Sequence, residues 1–311
     1  LSDVALEVTK LWFWYSDETA PALRGIDLTV QTGEFVVLVG ANGSGKTTLT
    51  KHLNGLLRPR RGQVRILGRD SAGRSTGELA RSVGYLFQHP EQQIFASTVE
   101  QEIAFGPRNL GLNASEVQAR LETALLRFDL MAVASRPPAI LGYGARRKIT
   151  LASLAAMDPP VLVLDEPTVG LDAVGRRETL DWLVELHQLG RTILLVTHDM
   201  ALAARYAGRI VVLQEGRIAA DSPPRELFRQ TRLLAQASLD LPPVTALDRA
   251  LSSMGTPGDS LSIEDFCDAY LALIQRPGQP PANQSASSRH GNGPNPRLNR
   301  PRPEEGDEPT L

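Results

Sequence analysis

Cysteine is almost absent: Cys267 is the only one in 311 residues. A disulfide within the chain is therefore excluded, and a reducing cytoplasm is the natural setting. Long hydrophobic runs are missing too. Nothing approaches the roughly 18 apolar residues that a membrane-crossing helix needs, and no signal peptide is expected ahead of the first strand. Work at a membrane would then be done by docking to something else there. Nor does charge of one sign dominate. The 33 basic and 35 acidic residues leave a formal net charge of -2, which argues against a general nucleic-acid binder, because those carry a basic excess. The chain opens on Leu1 rather than Met, which fits a trimmed or alternative start, or a fragment.

What is there suffices for a full core, with 42% hydrophobic and 22% charged residues. The length suits two domains, or one large α/β domain with an appendage. Alternating apolar residues predict half-exposed strands over 4–8 and 26–30, and a further strand over 64–67, together an antiparallel sheet beside a parallel core. Residues 73–81 read as a loop entering a short helix, 83–87 as a strand, and 89–111 as mixed and surface-exposed. Val117, Leu121, Leu125 and Phe128 have helical spacing over 115–130, with Ser115 as the N-cap. Another helix is predicted over 145–157, ended by Pro159-Pro160. Continuous apolar runs at 161–164, 193–196 and 210–213 are of strand length and suit a parallel sheet covered on both faces. Helices over 176–189 and 200–206 alternate with them, which points to α/β. Glu215-Gly216 makes a hairpin, and 223–275 reads as a small helical appendage. Residues 277–311 hold no aromatic residue and eight of the chain's 22 prolines. Such a segment buries too little to offset its ordering entropy, and it reads as a disordered tail, basic first and acidic last.

The chain is organised around Phe35-Val36-Val37-Leu38-Val39 and the run Gly40-Ala41-Asn42-Gly43-Ser44-Gly45-Lys46-Thr47-Thr48. An apolar strand leads into a glycine-rich loop that matches G-x-x-x-x-G-K-[ST] and opens a helix. Glycines let successive backbone N–H groups point inward, and the helix N-terminus adds its positive dipole end. Lys46 can reach β- and γ-phosphates, and the Thr47 hydroxyl can hold Mg²⁺. Leu49, Leu53, Leu56 and Leu57 are assigned to one face of the helix that follows.

Two further strand ends carry chemistry. Val161-Leu162-Val163-Leu164-Asp165-Glu166 is a buried strand closing in two carboxylates. Asp165 suits a Mg²⁺ ligand, and Glu166 can polarise the water that attacks a γ-phosphate. The bland alternative is a solvated pair of charges at a strand end. Thr197-His198-Asp199 ends the next strand, at the edge where open α/β sheets carry ligands. His198 could therefore reach a γ-phosphate from the side, or serve as a cap or surface residue.

Taken in order, these residues resemble the nucleotide-binding subunit of an ABC transporter. The fold implied is the P-loop NTPase of that family: a parallel core sheet, an antiparallel β subdomain and a helical subdomain. A small C-terminal helical appendage follows. The resemblance covers roughly residues 3–222. Residues 40–47 match its Walker A loop, Gln88 its Q-loop, and 161–166 its Walker B strand with the adjacent glutamate. Gly170-Leu171-Asp172 matches its D-loop, His198 its switch histidine, and Tyr15 the aromatic laid against adenine. The resemblance implies ATP and Mg²⁺, the metal held around Thr47, Gln88 and Asp165. Glu166 is then the general base, His198 the γ-phosphate sensor, and Lys46 a phosphate ligand.

A narrower resemblance rests on Tyr85-Leu86-Phe87-Gln88-His89-Pro90-Glu91-Gln92-Gln93-Ile94-Phe95 and Thr98-Val99-Glu100-Gln101-Glu102-Ile103-Ala104-Phe105-Gly106. These look like the ATPases of energy-coupling factor importers, which take up vitamins or transition-metal ions. Residues 239–274 resemble the small C-terminal domain that helps pair two such ATPases. The implied domains are the ATPase (3–222), a pairing module (223–276) and the tail (277–311). The implied partners are a transmembrane scaffold, a substrate-binding membrane subunit and a second ATPase. The implied place is the cytoplasmic face of the membrane, as a peripheral subunit. In such importers the Gln88 segment contacts the membrane subunit.

One motif departs from the family. Where a Leu-Ser-Gly-Gly-Gln signature loop belongs, the chain has Leu141-Gly142-Tyr143-Gly144-Ala145, without the serine hydroxyl or the glutamine amide. In ABC dimers that loop faces the partner's nucleotide. A heterodimer with an intact partner would carry the defect in one site, a homodimer in both. The expectation is a heterodimer, or one half of a fused double ATPase. A homodimer served by the Gly142 and Gly144 backbone stays open. Two other readings also stand: a soluble ABC ATPase of DNA repair or translation, and a regulatory subunit that binds ATP with little turnover.

Overall fold

The parity of the apolar residues in five short strands decides the layering. The computed structural model describes residues 3–89 and 93–275. The Pro90-Glu91-Gln92 part of the motif above and the tail over 277–311 lie outside the described residues.

In chain order, β1 (Val4–Phe13) and β2 (Leu23–Gln31) lead into β3 (Phe35–Val39) and helix α1 (Lys46–Leu53). Next come β4 (Arg61–Ile66), β5 (Arg69–Asp70), α2 (Thr76–Leu79) and β6 (Val83–Leu86). Three helices follow, α3 (Val99–Asn109), α4 (Ala114–Arg127) and α5 (Tyr143–Met157). Then β7 (Val161–Asp165), α6 (Ala173–Gln188), β8 (Thr192–Val196), α7 (Met200–Tyr206), β9 (Arg209–Gln214) and β10 (Arg217–Ser222) complete the sheets. The chain continues through α8 (Pro224–Arg229), α9 (Thr231–Gln236), α10 (Pro243–Ala250) and α11 (Ile263–Ile274).

The strands form a four-stranded antiparallel sheet, ordered β2-β1-β4-β5, and a six-stranded sheet, ordered β10-β9-β3-β8-β7-β6. In the larger sheet β3 lies parallel to both β8 and β9, β7 parallel to both β8 and β6, and only β10 runs antiparallel. Every residue of β3, β7 and β8 is buried, as a sheet covered on both faces requires. Val37, Leu162, Leu164, Ile193, Leu195 and Val212 turn toward α3 to α7. Their neighbours Val36, Leu38, Val161, Val163, Leu194 and Val211 face the antiparallel sheet and α1. Successive strand side chains point to opposite faces, so an unbroken apolar run builds two cores at once.

Three local expectations are corrected. The stretch 89–111 is not uniformly surface: it contains α3, whose Val99, Ile103 and Ala104 are fully buried. Thr98 caps this helix by accepting the Gln101 N–H, while Gly106-Pro107 near its end hid it from a propensity reading. Helix α4 is capped by Asn113 rather than Ser115. The Asn113 side chain accepts from Glu116 N–H at 2.9 Å, and the Glu116 carboxylate accepts the Asn113 N–H at 2.9 Å, a reciprocal capping box. Helix α1 stops at Leu53 because Asn54 Oδ1 accepts the Leu56 N–H at 3.0 Å and starts a turn. Leu56 therefore leaves the apolar face and is exposed.

Candidate nucleotide site

The loop after β3 is shaped by close backbone approach. Gly40 has φ +149°, and a Cβ there would lie 2.1 Å from the Leu213 carbonyl oxygen, so only glycine fits. The Lys46 ammonium folds back into the loop, donating to the carbonyls of Gly40 at 2.7 Å and Ala41 at 3.0 Å. Burial holds this lysine below its ordinary pKa, with the Asp165 and Glu166 carboxylates pulling the other way. Ser44 is buried, and its hydroxyl has no partner among the described residues. Helix α1 starts at Gly45 with no side-chain cap and no acidic residue in its first turn, which leaves its N–H groups and dipole for an anion.

The carboxylates come from the end of β7. Thr47 Oγ1 donates to Asp165 Oδ2 at 2.9 Å. Burial raises the Asp165 pKa, the Thr47 bond lowers it, and neighbouring Glu166 raises it. Glu166 turns out of the strand at φ +50°, with its N–H on the Val196 carbonyl at 3.0 Å. Its Oε1 lies 2.6 Å from His198 Nδ1 and accepts the His198 backbone N–H at 3.0 Å, while Oε2 accepts from Thr197 Oγ1 at 3.2 Å. The pairing of β7 with β8 creates this arrangement: Asp165 lies beside Val196, so the next residues of the two strands emerge side by side.

A cleft of about 400 Å³ gathers these groups. Tyr15, Asn42, Gly43, Gly45 and Lys46 line it together with Ala22, and so do Thr47, Thr48, Gln88, Asp165, Glu166 and His198. Tyr15 stands at the rim, 61% exposed, its hydroxyl 2.9 Å from Thr48 Oγ1. Its ring meets Phe13 edge-on at 5.0 Å, and Phe13 meets His52 in the same manner at 4.8 Å. A cavity of similar size, about 430 Å³, lies around Trp182 between α4, α5 and α6, apart from the phosphate loop.

The donors also fit a hard cation. Among the described residues no group of three or more His, Cys, Asp or Glu could hold a metal by itself. Mg²⁺ needs less: one or two protein oxygens beside phosphate and water. The Thr47 hydroxyl and Asp165 carboxylate are such a pair, with Gln88 on the same wall.

Residues 141–145 and 170–172 are not in the cleft lining. Gly142 caps α5 through backbone alone. Tyr143 covers Gly170, and Asp172 caps α6 by accepting the Gly175 N–H at 2.8 Å.

Sequence reasoning missed two residues. Glu102 is buried on α3, and its Oε2 accepts the N–H groups of Phe95 at 3.0 Å and Ala96 at 2.8 Å, holding the segment after Gln88. Arg147 is fully buried on α5. The capping pattern at 98–102 could have drawn attention to Glu102. Arg147 sits in the run Arg146-Arg147-Lys148, which reads as a solvated charged face.

The family model described as ABC transporter matches residues 23–169. The chain is 40% identical over 261 residues to the energy-coupling factor transporter ATP-binding protein EcfA of Methanocaldococcus jannaschii, spanning 83% of the chain and 92% of that protein. A putative ABC transporter ATP-binding protein of Caldanaerobacter subterraneus is 40% identical over 249 residues, which is 80% of the chain but 44% of that longer protein. Among solved structures, cbiO1 from Clostridium perfringens, described as part of the ABC transporter complex cbiONQ, aligns at a TM-score of 0.65. That match has 34% identity and covers 76% of this chain and 94% of that one.

Proposed function

The chain belongs to the energy-coupling factor group of ABC transporter ATP-binding proteins, an ATPase family, and on that premise we propose that it is one of two unlike ATPase halves powering uptake of a vitamin or transition-metal ion. The uptake itself runs through a separate transmembrane scaffold and a substrate-binding membrane subunit. The relatives, an energy-coupling factor ATP-binding protein and a member of a transporter complex, support that setting. The chain works as a peripheral subunit at the cytoplasmic face. Among the described residues no helix is long and apolar enough to cross a membrane.

Each group in the cleft then has a role. Tyr15 stacks on adenine. The residues from Gly40 to Thr48 wrap the phosphates with backbone N–H groups, and Lys46 leaves its loop carbonyls to meet the β- and γ-phosphates. The orphan Ser44 hydroxyl gains an acceptor. Thr47, Gln88 and Asp165 hold Mg²⁺, which supplies neutralising charge for the phosphate oxygens when bound. Glu166 takes a proton from the attacking water, and His198, held against Glu166, senses the γ-phosphate. The observation that carries this reading is the convergence of Lys46, Asp165, Glu166 and His198 on one cleft.

The unlike partner is argued from the signature loop. Residues 141–145 stand outside the chain's own cleft and lack the serine and glutamine of the family motif. One charge-assisted hydrogen bond to phosphate lost is about 1.5–3 kcal/mol, so a homodimer would be impaired twice. Helix α11 supports pairing, since none of its residues is buried while Ile263, Leu271 and Ile274 are exposed. Residues 3–222 then form the ATPase domain, and 223–276 form the pairing module. The experiment compares turnover of the purified chain with that of a Gly142→Ser, Ala145→Gln double variant. A rise of roughly tenfold or more supports the unlike partner, and unchanged turnover overturns the claim that this loop is defective.

A further inference from the structure

Arg147 is the bulkiest fully buried side chain among the described residues. It lies on α5, one turn after Tyr143, so the two share a face of the helix. Its Nε donates to the Pro167 carbonyl at 3.2 Å, Nη1 to the Phe87 carbonyl at 2.6 Å, and Nη2 to the carbonyls of Asp165, at 3.3 Å, and Glu166. Phe87 immediately precedes Gln88, and residues 165–167 are the turn that leaves β7. One guanidinium thus joins the helix to the backbone beneath both Gln88 and Glu166. Tyr143 adds contacts to the same segments. Its hydroxyl comes within 3.5 Å of the Gln88 carbonyl oxygen. Its ring occupies the space beside Gly170, where a Cβ would lie 2.2 Å from Cε1.

These acceptors are main-chain carbonyls, so the contacts govern where the chain runs rather than which side chain reacts. The five donors of a planar guanidinium can serve several carbonyls at once, a geometry that an ammonium cannot reproduce. We propose that Arg147 and Tyr143 are positioning residues. Together they make α5 a strut that sets the backbone of the Gln88 segment and of the 165–167 turn, and through it the stance of Gln88 and Glu166 in the nucleotide cleft. A further consequence rests on the paired-ATPase reading above. Helix α5 opens on the loop turned toward the partner's nucleotide, so the strut delivers a displacement of that loop to the chain's own Glu166.

The test uses the full chain and the variants Arg147→Met, Arg147→Lys and Tyr143→Gly. Hydrogen–deuterium exchange is read with and without Mg-ATP, alongside equilibrium binding of a fluorescent ATP analogue and steady-state turnover. Arg147→Met and Tyr143→Gly are expected to speed exchange roughly tenfold at residues 85–89 and 163–172, with the phosphate loop unchanged. In Arg147→Met kcat falls about a hundredfold while analogue affinity stays within about threefold. Arg147→Lys restores only part of the lost protection. Unchanged exchange at both segments, or a rise spread evenly through β3 and the phosphate loop, overturns the proposal. If Arg147→Met does not fold, exchange in Tyr143→Gly decides by the same criterion. Failure of the unaltered chain to bind the analogue would overturn the ATPase reading instead, while exchange still judges the strut.

Discussion

Glu166 and His198 form one hydrogen-bonded unit: Oε1 of the first lies 2.6 Å from Nδ1 of the second and also accepts its backbone N–H at 3.0 Å. The contact through Nδ1 and the one through the backbone beside it together fix the imidazole ring against the carboxylate. Glu166 and His198, read from the sequence as separate devices, are held as one unit by these bonds.

Their kinetic effects should therefore not multiply. Glu166→Gln is expected to lower kcat roughly a thousandfold and His198→Ala roughly a hundredfold, both with ATP binding nearly unchanged. The double variant should resemble Glu166→Gln alone. Turnover of all four proteins closes the cycle, and a double loss equal to the product of the single losses would show that the two residues act independently.

Glu102 should matter more than its place in a mixed, polar stretch suggests. Its buried carboxylate satisfies the Phe95 and Ala96 N–H groups. Glu102→Ala is expected to cost about 2 kcal/mol, and Glu102→Gln, which keeps an acceptor oxygen but loses its charge, about half that. Urea unfolding of the two variants measures this. A full loss in Glu102→Ala beside no loss in Glu102→Gln, which preserves the shape, would mean that the charge-assisted hydrogen bonds contribute little and packing dominates.

His52 makes stability depend on pH. It is buried, with Nδ1 on the Thr48 carbonyl at 2.7 Å. Burial holds its pKa below the usual histidine value, opposed by the backbone carbonyls of Thr48 and Arg58. The unfolded chain therefore takes up the proton first. Stability is fully present above about pH 6.5 and declines as pH falls from there toward the folded value, by at most about 1.4 kcal/mol per pH unit. Denaturant melts between pH 7.5 and 5 should show this slope, and His52→Asn should flatten it. Parallel slopes in both proteins would assign the proton uptake to another group.

Helix α11 presents Ile263, Tyr270, Leu271 and Ile274 to solvent, with Phe266 stacked on Tyr270 at 6.0 Å. Leu271→Asp should leave the fold and its melting temperature nearly unchanged, because the site is exposed. If the proposed pairing module is right, association of ATPase subunits should weaken at least tenfold in sedimentation experiments. Unaltered association would remove this helix from the interface.

Legibility along the chain follows how far apart the interacting residues lie. Residues 35–48 could be read directly because strand, loop, lysine and threonine are contiguous. The runs at 161–164, 193–196 and 210–213 were equally open, since a strand covered on both faces has a local apolar signature. Helix α3 was hidden by Gly106-Pro107, which lie in its last turns rather than at a break. The Asn113 cap was missed because Asn113 and Ser115 are both capping residues, and the choice depends on which side chain Glu116 can answer.

Nucleotide chemistry was thus written locally: a phosphate loop, a strand ending in Asp165-Glu166, and a histidine after another apolar run. Which of these groups touch was settled by strand order. Glu166 and His198 are neighbours because β7 and β8 pair in parallel, although 32 residues separate them. Arg147 is a core residue because α5 crosses the ends of β6 and β7, where four carbonyls surround its head. Periodicity and motif spacing report on bonded neighbours and single faces. Burial of a charge, and the pairing of Glu166 with His198, are set by contacts among segments that meet only when the sheet is assembled.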